Sequence, residues 1–127
     1  MTFDFLVRLH MPGGHAKPWM ISQCAAPPPE SLRTREIGAL AQELSITSNS
    51  LGELTGNPVH PWKRERRAVI DAHLDALVAR EYQLDREQYI LVLDHFKVLQ
   101  RMETADYGEY RSKRLRLEAF DDLGGSV

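Results

Sequence analysis

Residues 104–123, TADYGEYRSKRLRLEAFDDL, are the stretch from which the fold of this chain is most clearly predicted. Thr104 is a residue type that caps helix N-termini, and Gly124 is one that ends helices. Aromatic and apolar side chains recur near helical spacing on one side, whereas basic side chains concentrate on another. The apolar set is Tyr107, Tyr110, Leu117 and Phe120, and the basic set is Arg111, Lys113, Arg114 and Arg116. The stretch predicts a long final helix with one face in a core and one basic face in solvent.

Two further helices are predicted immediately before it. Residues 62–82 carry apolar side chains at helical spacing, so one stripe of this helix should face the core. Asp85 should begin the next helix, which runs to about His95, because Gln88 stands three residues later in the arrangement of a capping box. The core candidates of these two helices are Ile70, His73, Leu74, Leu77, Val78, Ile90, Leu91 and Leu93.

Short loops between the three helices favour a compact antiparallel bundle. Four aromatic residues are expected to fill its ends: Trp62, Tyr82, Phe96 and Phe120. Upstream, a helix should begin at Pro29 or Glu30 and end at Leu44. Residues 45–60, rich in Ser, Thr, Asn and Gly, predict a loop that holds one helical turn around residues 51–54.

The first 29 residues are less regular. The predicted segments are a short helix or strand at 3–10, a glycine turn at 11–16, a short strand at 18–23 and a stiff proline connector at 27–29. The chain is therefore expected to be mainly α, with a small bundle of three to four helices at 30–127. An N-terminal helix or strand, a glycine turn and a proline linker at 1–29 precede that helical C-terminal domain.

The order of motifs in residues 61–123 resembles the C-terminal, target-recognition-side region of adenine-specific DNA methyltransferases, including type IIG restriction-modification enzymes. The shared order is an arginine-rich start, a long helix, a "YGL" plus acid motif (here YQLD), a short helix ending in Phe, and a "GEYR-KRL-LEA" helix. Residues 43–56, ELSITSNSLGELTG, and the following Pro61-Trp62 pair are similar to the family's Thr-rich turn, small helix and Pro-aromatic pair.

Residues 2–29 resemble a segment near the end of the family's target-recognition region, with two departures. The family has an Asn near Ala16 and Lys17 and a Leu-Pro near Gln23 and Cys24, and this chain has neither.

The motifs that would carry methyl transfer are missing. Gripping an adenine amine needs Asn or Asp followed by Pro-Pro and an aromatic residue, but the proline run here is Ala26-Pro27-Pro28-Pro29-Glu30. The Gly13-Gly14 pair is not surrounded by the alternating strands and helices of a cofactor-binding sheet. We expect no catalytic residue and no cofactor in this chain, which should be inactive alone. The resemblance implies that S-adenosylmethionine binds a separate catalytic domain.

The charges form local clusters, although the formal net charge is only -2. The first basic cluster is Lys63, Arg64, Arg66 and Arg67, and the second is Arg111, Lys113, Arg114 and Arg116. Two basic patches on an acidic body are suited to follow a phosphate backbone, so these eight residues are the candidate DNA contacts. The alternative is that both clusters are solvated helix faces linked by ion pairs.

The histidines and the cysteine do not form a convincing metal or catalytic site. Cys24 is the single cysteine, which excludes an internal disulfide. His73 lies on an apolar stripe, where a hydrogen-bonded core histidine is expected more often than a ligand. His10 and His15 have no third partner nearby, as zinc would require. No apolar run approaches the roughly 20 residues needed to cross a bilayer, and a cytoplasmic protein without a membrane partner is expected.

Two functions of different class follow. The first is a C-terminal accessory or DNA-recognition fragment of an adenine-specific (N6) DNA methyltransferase in a restriction-modification or phage-defence system. Its partners would be DNA, through phosphates, and a methyltransferase catalytic domain. The alternative is a helical protein-interaction or structural module with no nucleic-acid role, which docks through Tyr107, Tyr110, Leu117 and Phe120.

Overall fold

A computed structural model describes residues 1–9 and 32–124, which form seven helices and no strand. The helices are α1 (Thr2–Leu9), α2 (Leu32–Ser45), α3 (Asn49–Thr55), α4 (Arg64–Glu81), α5 (Arg86–Asp94), α6 (Lys97–Tyr107) and α7 (Arg111–Gly124). The mainly α class is confirmed, but there are more helices than the three to four expected. The predicted glycine turn, short strand and proline connector, together with His10, His15 and Cys24, lie outside the described residues.

The final helix does not begin near Thr104 as predicted, because residues 104–123 are divided between α6 and α7. Gly108 adopts a left-handed φ of 74° and ends α6, donating its backbone N–H to the Thr104 carbonyl at 3.0 Å. Thr104 is therefore not a cap but lies inside α6, where its hydroxyl donates to the Gln100 carbonyl at 2.7 Å. The chain then turns, and α7 begins at Arg111. A glycine with a left-handed φ ends a helix even where apolar residues continue at helical spacing on both sides of it.

Helices α4 and α7 pack side by side in the same direction, so the predicted antiparallel arrangement is wrong for this pair. At their beginnings, Arg64 donates to the Tyr107 hydroxyl, which lies four residues before α7. At their ends, Arg80 donates to the Phe120 carbonyl at 2.8 Å, and its guanidinium carbon lies 3.7 Å from the centre of the Phe120 ring. The two short helices α5 and α6 carry the chain back to the start of α4, which makes the parallel pairing possible.

The core lies where α4, α5 and α7 meet. Its buried cluster is Ala76, Ala79, Tyr89, Leu93 and Phe120, with Met1, Leu84, Leu117, Ala119 and Leu123 packed around it. Ile70 and Leu77 are buried as predicted. The face of α4 in this cluster carries small side chains, since Ala76 and Ala79 are both fully buried there beside Phe120 of α7.

Several predicted core residues are instead exposed. Leu91 is 71% exposed on α5, and Trp62 is 68% exposed just before α4. Leu93 on the same short helix is fully buried, since only one side of α5 faces α7. The end-filling role predicted for Trp62 is therefore wrong, while Phe120 does fill the core.

One of the two predicted N-terminal capping signals is confirmed, whereas Thr104 is not a cap. Asp85 accepts from the backbone N–H of Gln88 at 2.8 Å, and the Gln88 side chain accepts from the backbone N–H of Asp85 at 2.9 Å, so the capping box is confirmed. The turn expected around residues 51–54 is helix α3, capped by Ser48 and ended by Gly56 at φ 69°. The helical alternative for residues 3–10 is confirmed as α1, which packs against α4 and α5. Within the described ranges, no helix is both long and apolar enough to span a membrane.

Candidate nucleic-acid interface and the buried Asp75 network

The two basic clusters meet around one tyrosine at the shared starting end of α4 and α7. A terminal nitrogen of Arg64 donates to the Tyr107 hydroxyl at 2.7 Å. The Arg111 guanidinium carbon lies 5.1 Å from the centre of the same ring, within the range of a cation–π contact. The fold therefore joins the start of the first cluster to the start of the second.

Arg111 is paired as well as stacked. Its guanidinium forms a charge-assisted hydrogen bond to the exposed carboxylate of Glu65, the second residue of α4. This hydrogen bond raises the pKa of Arg111, which stays fully charged. The Glu65 side chain is 75% exposed, whereas the Arg111 side chain is only 18% exposed, so solvent screens this pair mainly from the Glu65 side.

Glu103 closes the N-terminus of α7 from the preceding helix. Its carboxylate accepts the backbone N–H of Ser112 at 2.8 Å and also accepts the Ser112 hydroxyl. A carboxylate at this place satisfies unpaired N–H groups and complements the positive end of the helix dipole. The N-terminus of α7 is therefore already occupied by an internal anion.

Four other basic residues have partners within the chain. Arg66 forms a two-pronged pair with Glu43 of α2, at 3.1 and 3.3 Å. Arg114 pairs with Glu109 at 3.1 Å and with Glu118 at 2.9 Å, and these hydrogen bonds raise its pKa. The remaining two contacts are from Lys113 to Asp94 at 2.7 Å and from Arg67 to the Leu44 carbonyl at 2.8 Å.

Lys63 differs from the rest of the basic set. It occupies the position just before α4, is exposed, and makes no side-chain capping bond. Within residues 1–9 and 32–124 no ion pair is formed by its ammonium. The ion-paired interpretation of the clusters therefore describes five of the eight cations, with Lys63, Arg64 and Arg67 as the exceptions among the described residues.

Arg116 lies inside the bundle, beside a buried acid. Its side chain is 12% exposed, and its Nε lies 3.4 Å from Oδ2 of Asp75. That Nε has no hydrogen-bond partner in the described part of the chain, so the attraction to Asp75 is its main compensation. A duplex on the surface does not reach a guanidinium in this position.

Asp75 is the centre of a network that links α1, α4, α5 and α7. Its carboxylate accepts the Met1 ammonium at 2.9 Å and, from Thr2, both the backbone N–H at 2.8 Å and the hydroxyl at 3.2 Å. Tyr89 of α5 donates its hydroxyl to Oδ2 at 2.6 Å. Buried charges are tolerated when they are paired and hydrogen-bonded in this way.

The network shifts two pKa values in opposite directions. Burial alone would raise the pKa of Asp75, but the Met1 ammonium, the Tyr89 hydroxyl and Arg116 together hold it below its usual value. Burial and the neighbouring Asp75 charge raise the pKa of Tyr89 far above its usual value. Asp75 is thus kept ionised and Tyr89 protonated, which is the combination that the hydrogen bond between them requires.

A groove of about 450 Å³ opens between α2, α4 and α7. Apolar side chains form its floor, and charged or polar ones form its rim. The floor is Leu40, Val69, Ile70, Ala72, Leu115 and Ala119, and the rim is Glu36, Arg66, His73, Glu118 and Asp122. Its volume falls in the range of small-molecule pockets, about 300–1,000 Å³.

His73 stands at this rim and contacts Glu36 of α2 at 2.9 Å. It is partly exposed, and so it is not the enclosed core residue that its place on an apolar stripe predicted. Among the residues that the structure describes, no group of three His, Cys, Asp or Glu side chains could hold a metal ion.

Asp75 and Glu103 were not among the site residues predicted from the sequence. Asp75 sits between the buried Ala72 and Ala76 on α4, and an acid in the middle of a small-residue stripe was the available signal. Glu103 gave no comparable signal, because its role depends on the break at Gly108.

Comparison of the chain with protein-family models, curated proteins and solved structures finds no match. The class defined by the described residues is a small all-helical unit with a basic end and a buried ionic network.

Proposed function

We propose that this chain is the C-terminal accessory, DNA-recognition-side module of an adenine-specific (N6) DNA methyltransferase of a restriction-modification or phage-defence system. It works beside a separate catalytic domain that binds S-adenosylmethionine, and it holds the DNA through phosphates. The observation that carries the DNA contact is the meeting of both basic clusters at Tyr107, with Arg64 2.7 Å from its hydroxyl and Arg111 5.1 Å from its ring centre. The assignment to methyltransferases follows from the order of motifs in residues 61–123.

The eight candidate DNA contacts differ in how exposed they are and in whether they have a partner within the chain. Lys63 and Arg64 are exposed without a carboxylate partner in the described ranges, and Arg111 shares the same end of the bundle. Arg66 and Arg114 have side chains 57% and 45% exposed, so each can exchange its carboxylate for a phosphate at small cost. The remaining three, Arg67, Lys113 and Arg116, act mainly within the fold.

The salt dependence of DNA binding tests this function. Each phosphate contact releases condensed counterions, so the logarithm of affinity falls with the logarithm of salt by about 0.9 per contact on a duplex. The double variant Lys63→Ala, Arg64→Ala should bind more weakly and should lower this slope by about 1.8. The matched control is Lys97→Ala, Arg101→Ala on α6, which removes two exposed cations outside both clusters.

The expected result is a shallower slope for the cluster variant and an unchanged slope for the control. Equal losses in both variants would mean that only net charge matters and would remove the assigned interface. No duplex binding at low salt by the intact chain would remove the DNA function altogether.

The protein-interaction alternative is favoured by one specific observation, the groove between α2, α4 and α7. The docking face first expected for this function is largely used inside the fold, since Phe120 is buried and the Tyr110 hydroxyl donates to the Leu93 carbonyl at 2.8 Å. Val69, half exposed on the groove floor, is the site to test. Under this alternative, which has no nucleic-acid role, the unaltered chain should bind no duplex, and Val69→Glu should abolish its association with its protein partner.

A further inference from the structure

Trp62 is a large aromatic side chain held in an exposed position by a cation beneath it. It is 68% exposed, and the Arg67 guanidinium carbon lies 3.7 Å from the centre of its ring. Arg67 is itself fixed, because its NH1 donates to the Leu44 carbonyl at 2.8 Å. The indole therefore has one face supported by a guanidinium anchored to α2.

We propose that Trp62 is a stacking platform for an unpaired nucleobase, with Lys63 and Arg64 holding the adjoining phosphates. This inference rests on the proposed DNA function and deepens it by naming the single-stranded element that is recognised. Bases stack on exposed aromatic rings in proteins that bind single strands, and a positively charged surface beside the ring tracks the backbone.

The local chemistry favours a nucleic acid over a protein partner. An exposed tryptophan is also a common anchor in protein interfaces, but here the two residues that follow it are cations. Both are exposed, and neither has a carboxylate partner among the described residues. An apolar protein surface would leave these charges without compensation, whereas a nucleotide supplies both a planar ring and an anion.

An unpaired base is required because paired bases offer only their edges to the grooves. A duplex exposes a base face when an enzyme extrudes a nucleotide for chemistry, and the partner base is then left unpaired. A stacking platform in the recognition-side module is suited to hold such a base.

Tryptophan fluorescence gives a direct test. The chain has two tryptophans, so Trp19→Phe leaves Trp62 as the sole reporter. This variant is titrated at low salt with three probes: an oligothymidylate of about 10 nucleotides, an abasic oligomer of the same length, and a duplex. Quenching by the oligothymidylate, and little by the abasic oligomer, is expected.

Affinity for the same probes is then measured for Trp62→Ala in the full chain. Removal of one stacking partner costs about 1–3 kcal/mol, so the oligothymidylate should bind about 5- to 150-fold more weakly. Binding to the abasic oligomer should stay within about 2-fold, because its phosphates are unchanged. Leu54→Ala is the matched control, because Leu54 of α3 is also highly exposed. This variant should change the affinity for neither the oligothymidylate nor the abasic oligomer.

Each contrary result has a distinct meaning. If Trp62→Ala binds all three probes as the unaltered chain does, the stacking proposal is overturned while the phosphate interface stands. Equal weakening for the oligothymidylate and the abasic oligomer also overturns it, since Trp62 then acts only by positioning the phosphate contacts Lys63 and Arg64. Unchanged DNA binding with lost association to a methyltransferase catalytic domain assigns Trp62 to protein docking instead. Failure of every probe to bind removes the proposed function and this inference together.

Discussion

The hydroxyl of Tyr89 donates a 2.6 Å hydrogen bond to Oδ2 of Asp75 in the interior of the bundle. The same oxygen lies 3.4 Å from Arg116 Nε, so one carboxylate oxygen joins α4 to both α5 and α7. Because Asp75 is buried, water cannot take the place of a hydrogen-bond or ion-pair partner that is removed. The stability of the fold should therefore depend on this group more than on any exposed ion pair.

Asp75→Asn is expected to destabilise the protein by about 3–5 kcal/mol, because it leaves Arg116 buried without its counter-charge. Asp71→Asn, on an exposed position of the same helix, should change stability by less than about 0.5 kcal/mol. Urea unfolding followed by far-ultraviolet circular dichroism measures both. Equal effects of the two substitutions would show that the network is not a centre of stability.

The pH dependence of unfolding should show the contribution of the Asp75 network at both acidic and alkaline pH. The pKa of Asp75 is lowered in the folded protein, so its contribution is present above the ordinary value of 3.8 and is lost as pH falls below it. The pKa of Tyr89 is raised, so its contribution is present below the ordinary value of 10.0 and is lost as pH rises above it. Tyr89→Phe should flatten the alkaline loss, and Asp75→Asn the acidic loss, in thermal melts across pH.

Part of the alkaline loss should remain in Tyr89→Phe. Burial raises the pKa of Tyr110 to about 12, so this residue loses stability in the same direction at high pH. An alkaline limb identical in Tyr89→Phe and the unaltered chain would contradict the role given to the Tyr89 proton.

Backbone conformation at two turns predicts substitutions of opposite effect. Gly108 has a left-handed φ of 74°, and a Cβ built there meets nothing within 4 Å, so the cost of Gly108→Ala comes from backbone strain, about 1–2 kcal/mol. Gln83 is a non-glycine residue at φ 58°, so Gln83→Gly relieves strain and should be neutral or stabilising by up to about 1 kcal/mol. The denaturant midpoint should fall for Gly108→Ala and should stay unchanged or rise for Gln83→Gly.

The isolated chain is expected to transfer no methyl group. Its proline run lacks the polar leader and aromatic follower that grip an adenine amine. Incubation with labelled S-adenosylmethionine and adenine-containing duplex should leave the DNA unlabelled. Incorporation above a control without protein would contradict the accessory role and require a catalytic site in this chain.

The sequence predictions were accurate for features that depend on residues close together in the chain and were wrong for features that depend on distant residues. The capping box of Asp85 and Gln88 was predicted from residues three apart, and the structure has it. Trp62 was assigned to the core from its hydrophobicity, yet it is 68% exposed, and the α4 side chain that contacts its ring is the cation Arg67. Arg114 and Arg116 stand two residues apart on one helix and were grouped together, although one is exposed and the other faces Asp75.

The sequence by itself determined the helical class and most helix ends, because capping bonds and helical spacing act within a few residues. It did not determine the direction of α7 against α4, which depends on the return path through α5 and α6. Nor did it determine which carboxylate neutralises each cation, since those contacts join residues far apart in the chain. Tertiary structure alone decided that Arg64 and Arg111 meet at Tyr107 and that Asp75 is buried, because burial and pairing arise only when distant helices close upon one another.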